Sequence, residues 1–123
     1  MMFETNLLRL GAEFSALMAD YRAAQSQLSA LQHEADRTAT EAGLLYGSSA
    51  WSEHRFAVTG RTVHHVNALY EKLEDLAQAI APIRPTCFAG LLIKARAHHF
   101  AGNPAAIIPE IEALAQASNQ EAA

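Results

Sequence analysis

From Leu7 to Leu45 the chain steps by three and four residues in strict alternation through Leu7, Leu10, Phe14, Leu17, Tyr21, Ala24, Leu28, Leu31, Ala35, Thr38, Ala42 and Leu45. Thr38 is the one hydroxyl-bearing aliphatic residue on this line; every other position is apolar, aromatic or alanine. A run this long at heptad spacing has one conformational solution, a long α-helix whose seam packs on another helix. It predicts a helix over residues 5–45, roughly 60 Å at 1.5 Å per residue. No proline occurs before Pro82, so nothing removes a backbone donor along that length. Gly43 and Gly47, followed by Ser48 and Ser49, supply the positive-φ and capping residues of a stop and a new start.

A second register follows the turn: Phe56, Thr59, Val63, Val66, Tyr70, Leu73, Ala77 and Ile80. It predicts a helix over residues 50–81 with Ser48 or Ser49 as N-cap. Gly60 is its weak point, so one helix and two shorter ones broken near 60 both fit. Two long amphipathic helices joined by so short a connection lie antiparallel, each covering the other's seam. The fold class is therefore all-α, a long coiled-coil-like antiparallel hairpin in a single domain spanning residues 1–123. With 26 alanines against only 15 Val, Ile and Thr residues, the composition gives a sheet little support.

The arms are unequal, so the first helix overhangs the second and needs a cover there. Leu8 and Met18, and a second stripe of Leu69, Leu76 and Ile83, likewise ask for another neighbour. The last third supplies it. Thr86 reads as an N-cap after Pro82 and Pro85, and residues 87–101 as a short helix apolar nearly all round and buried on more than one face. Pro104 and Pro109 then introduce a last short helix over residues 107–117, marked by Ile108, Ile111, Leu114 and Ala115, with residues 118–123 frayed. The seam is alanine-rich in its second half, leaving room for Trp51 and Phe56 from the second helix. The remaining apolar surface suits a homodimer.

Chemistry-bearing residues are few. The six histidines include the pairs His64–His65 and His98–His99, yet no two stand at i, i+3 or i+4, so no metal site is assigned. Whether His54, His64, His65, His98 and His99 converge is a tertiary question. Cys87 excludes an intrachain disulfide, and directly after a helix N-cap it reads either as a thiol favoured as thiolate or as a small buried hydrophobe. The net charge is −4, which argues against a generally basic nucleic-acid binder. Two stretches nevertheless carry cations without acids, residues 54–66 and 84–96. They make Arg61, Arg84, Lys94 and Arg96 candidate anion contacts, with Lys94 and Arg96 projecting outward, unless they neutralise the carboxylates of the first helix. No catalytic residue and no cofactor is assigned.

The segment from Ala81 to Arg96, with its Pro85-Thr86 turn and its Gly90-Leu91…Lys94-Ala95-Arg96 run after a helix that carries Trp51 early, resembles small bacterial all-helical proteins of uncharacterised function. The likeness spans residues 51–96. It implies a bacterial origin and a helical fold, and transfers no mechanism. Cys87, His98 and His99 stand outside the shared pattern. The reading is thus a non-enzymatic, cytoplasmic helical protein that self-associates or docks a partner helix, with no membrane span. The alternative is an anion- or nucleic-acid-associated regulator.

Overall fold

A computed structural model describes residues 2–122, with side chains placed over residues 5–119. These residues form four α-helices, α1 (Met2–Glu41), α2 (Ser49–Ile80), α3 (Phe88–Phe100) and α4 (Ile107–Ala122), with a short 3-10 turn at Pro104–Ala106 and no strand. The all-α hairpin with C-terminal helices is what the heptad spacing predicts. Three boundaries move, the first being the start of α1, at Met2 rather than residue 5. The first helix ends at Glu41 rather than residue 45, because Gly43 adopts a φ of +75°. There the Gly43 amide donates to the Thr40 carbonyl and the Leu44 amide to the Ala39 carbonyl, both at 3.0 Å. That paired closure satisfies the last carbonyls and leaves Ala42 and Leu45 exposed, off the seam. At the other end of the chain α4 continues to Ala122 in place of the expected fraying from 118; Ala123 lies outside the described residues.

Ser48 caps α2 as expected, its Oγ accepting from the Trp51 amide at 3.2 Å. The helix runs unbroken through Gly60. Its glycine serves packing instead: the Phe56 ring lies where a Gly60 Cβ would touch it at 3.3 Å. Phe56 is 66% exposed, so it leaves the seam on which the spacing places it.

The chain folds as two compact units, one comprising Met18–Glu71 and the other Met1–Leu17 with Lys72–Ala123. In the 18–71 unit, α1 and α2 run antiparallel. Thr38 Oγ1 meets His54 Nε2 at 2.7 Å near the turn, and the Tyr21 and Tyr70 rings meet at 6.0 Å far from it. Small residues fill the seam: Ala24, Ala35, Ala39 and Thr59 are buried, the Thr59 hydroxyl donating to the Arg55 carbonyl at 2.8 Å. Trp51 is buried, and its ring takes the Tyr46 ring edge-on at 5.2 Å.

The other unit carries the large core side chains Leu7, Leu10, Phe14, Leu73 and Ile80. Here α3 covers the start of α1, as the overhang requires. A Cβ built on Gly11 would fall inside the Ile93 side chain, and Phe14 packs edge-to-face on Phe100 at 5.7 Å. Helix α4 packs on α3.

Candidate functional site

Pro82 and Pro85 stop α2 in a way that creates a need. A helical carbonyl accepts from the amide four residues on, and the amide due to Ala81 belongs to Pro85, which has none. The donor comes from α3. Lys94 has no solvent-exposed surface. Its ammonium donates to the Ile80 carbonyl at 3.2 Å and to the Ala81 carbonyl, and pairs with Glu110 Oε1 of α4 at 2.8 Å. All three ammonium protons are matched, and the cation sits on the negative end of the α2 dipole. His98, one turn further along α3, donates from Nε2 to the other carboxylate oxygen, Glu110 Oε2, at 3.0 Å. One carboxylate thus ties two residues of α3, and one ammonium from the middle of α3 ties the end of α2 to the first turn of α4. This is a clasp, with no ammonium proton left for an outside anion.

The expectation that Lys94 projects outward is therefore overturned. So is the picture of α3 as buried on several faces: its buried line is Gly90, Lys94 and Ala97, while Phe88 is 76% and Leu92 41% exposed. The N-cap also shifts by one residue. Cys87, extended at φ −144° and ψ 169°, is itself the cap, its Sγ accepting from the Gly90 amide at 3.5 Å. Thr86 stands one position before it. The longer bonds of the thiol let sulfur reach the third amide of the helix, the place of the expected Thr86 hydroxyl.

Of the other candidate cations, Arg61 is exposed and belongs to the 18–71 unit. Arg84 and Arg96 are exposed in the other unit. Arg84 lines an open cleft of about 680 Å³ between the α2–α3 connection and α4, walled by Ile83, Pro85, Phe88, Pro109 and Leu114, with Glu110 at its side. The histidines scatter. His33, His64, His65 and His99 are exposed, His54 is held by Thr38, and His98 by Glu110. Among the described residues no three His, Cys, Asp or Glu side chains are grouped so as to hold a metal ion, and no helix is long and apolar enough to cross a membrane.

The clasp places a carboxylate on the inner line of α4, between Ile107 and Leu114. Glu110 faces inward, whereas Ile108 and Ile111 stand 52% and 45% exposed. An amphipathic helix ordinarily turns its apolar stripe to the core and its charges to water. With Phe88 and Leu92 of α3, these isoleucines give the α3–α4 hairpin four large apolar side chains in solvent. Leu92, Ile108 and Ile111 were each visible in the sequence; their outward turn depends on which residue claims the inside, and that was Lys94. No protein-family model, curated protein or solved structure matches the chain.

Proposed function

We propose that this chain is a non-enzymatic helical interaction protein that works by association through the outer face of the α3–α4 hairpin. The observation that carries the reading is that α4 turns Glu110 inward beside Ile107 and Leu114 and leaves Ile108 and Ile111 in water. A fold that buries an ammonium while exposing Ile108, Ile111, Leu92 and Phe88 keeps apolar surface available that its own core does not use. The occupant such a face suits is one or two amphipathic helices, laid against it in the helix-on-helix manner that already builds the rest of the chain.

Site-specific photo-crosslinking in cells tests this. A photoreactive phenylalanine replacing Leu92 is expected to give discrete adducts that disappear when Ile111→Glu is added. The same probe at Asp20, exposed in the 18–71 unit, is expected to give none. Adducts from Leu92 no stronger than those from Asp20 would overturn the reading.

A further inference from the structure

The outward faces of α3 and α4 share one template with opposite charge. Around the inward Lys94, α3 places Leu92 two residues before and Arg96 two residues after; around the inward Glu110, α4 places Ile108 two before and Glu112 two after. Leu92, Arg96, Ile108 and Glu112 are all exposed. The two helices run antiparallel. His98 meets Glu110 near one end, and near the other the α3 start, Cys87 and Phe88, lines the same cleft as Ala117 and Ser118. At about 100° per residue, the stripes Phe88–Leu92 and Ile108–Ile111 each lie roughly 130° round from the Lys94–Glu110 contact, in the same rotational sense. On antiparallel neighbours that puts both stripes on one side of the hairpin. Ile93 and Phe100, which pack on α1, lie on the opposite side of α3.

We infer that the occupant of this face is a second copy of the chain, joined about a two-fold axis parallel to α3 and α4 so that each α3 lies antiparallel on the α4 of the partner subunit. The inference rests on the interaction reading above and names its partner. That axis carries each residue across at its own height. Arg96 then meets Glu112 of the partner subunit on the same edge, within about 6 Å along the helix axes, inside the reach of the two side chains. One such pair closes each edge of the interface, each copy giving Arg96 to one edge and Glu112 to the other, and Leu92 falls against the partner's isoleucines between them. The other two-fold arrangement, α3 on α3, would bring Arg96 toward Arg96 of the partner subunit, cation against cation. A face about 20 Å long and two helices wide lies at the low end of stable interfaces, and the dimer is expected to form at roughly micromolar concentrations.

Sedimentation equilibrium on the full chain from about 1 to 200 µM tests the inference. The wild type is expected to move from monomer to dimer across that range, and Leu92→Glu or Ile111→Glu, both at exposed positions, to stay monomeric with an unchanged circular dichroism melt. Arg96→Glu alone and Glu112→Arg alone should each weaken the dimer about tenfold, and the double exchange should restore it. A wild type monomeric throughout would overturn the second copy, whereas heterologous adducts from Leu92 in the crosslinking experiment would still uphold the interaction reading. A dimer indifferent to Leu92→Glu, or a double exchange no better than its singles, would overturn the α3-on-α4 arrangement.

Discussion

The two units bury their seams with different materials, and the contrast shows how much a heptad pattern specifies. In the 18–71 unit the seam is thin: Ala24, Ala35, Ala39 and Thr59 let two helices approach closely, and Leu28, Leu31 and Val63 remain half-exposed. In the other unit, α3 and α4 join the ends of α1 and α2, and the interior holds Leu7, Phe14, Leu73, Ile80 and a whole ammonium side chain. Spacing fixes which line of a helix meets a neighbour. The bulk and polarity on that line then determine how deeply the neighbour sits and whether further helices can be carried.

The contrast is most severely tested at Lys94. Lys94→Ala leaves the part-buried Glu110 and the Ile80 and Ala81 carbonyls without their cation, and is expected to cost up to about 3–5 kcal/mol in denaturant unfolding. Hydrogen exchange should show α3, α4 and the end of α2 losing protection while amides of residues 18–71 keep theirs. Equal loss in both units would make the division one of contacts alone, not of stability.

A smaller effect distinguishes the units by sign. Glycine to alanine inside a helix ordinarily stabilises by about 0.5–1 kcal/mol. Gly60→Ala should follow that rule, because the Phe56 ring it meets is mostly in solvent and can move aside. Gly11→Ala should reverse it, costing about 1–3 kcal/mol, because the new methyl enters the Ile93 side chain at the α1–α3 crossing. Thermal melts of the two variants on opposite sides of wild type would sustain the contrast; shifts of one sign would break it.

The smallest effect lies on the surface of α1. Arg37 bonds Glu34 at 2.5 Å and Glu41 at 2.7 Å, and its hydrogen bond and charge hold the Glu34 carboxyl below its ordinary value. A lowered carboxyl contributes stability above the ordinary carboxylate range and loses it as pH falls through the lowered value. Arg37→Ala should return Glu34 upward to ordinary titration, read by NMR. An unmoved titration would remove Arg37 as the cause.

Both long helices, their antiparallel pairing, and the stop and start at Gly43 and Ser48 were legible because 3-4 spacing, positive φ and side-chain capping are local backbone matters. The covering of the overhang was legible too, since exposed apolar surface on α1 had to be met. Lys94 was not. A cation in a helix reads as solvent-facing unless some distant group requires it, and the requirement comes from Ala81, thirteen residues before Lys94. The signal was faint but present: Pro85 deprives Ala81 of its amide, Lys94 shares a helical line with Gly90 and Ala97, and the first acid after Asp75 is Glu110. Phe56 escaped the seam for a reason equally local and equally easy to pass over, a glycine one turn ahead that gives an aromatic ring a bed on its own helix.

Lys72 and Lys94 are the only lysines in the chain, and Lys72 stands exposed. With Lys94 sealed away, reagents that acylate side-chain amines have one address, and a dye or an acetyl group delivered to the folded protein settles at Lys72. Modification of Lys94 becomes a record of unfolding.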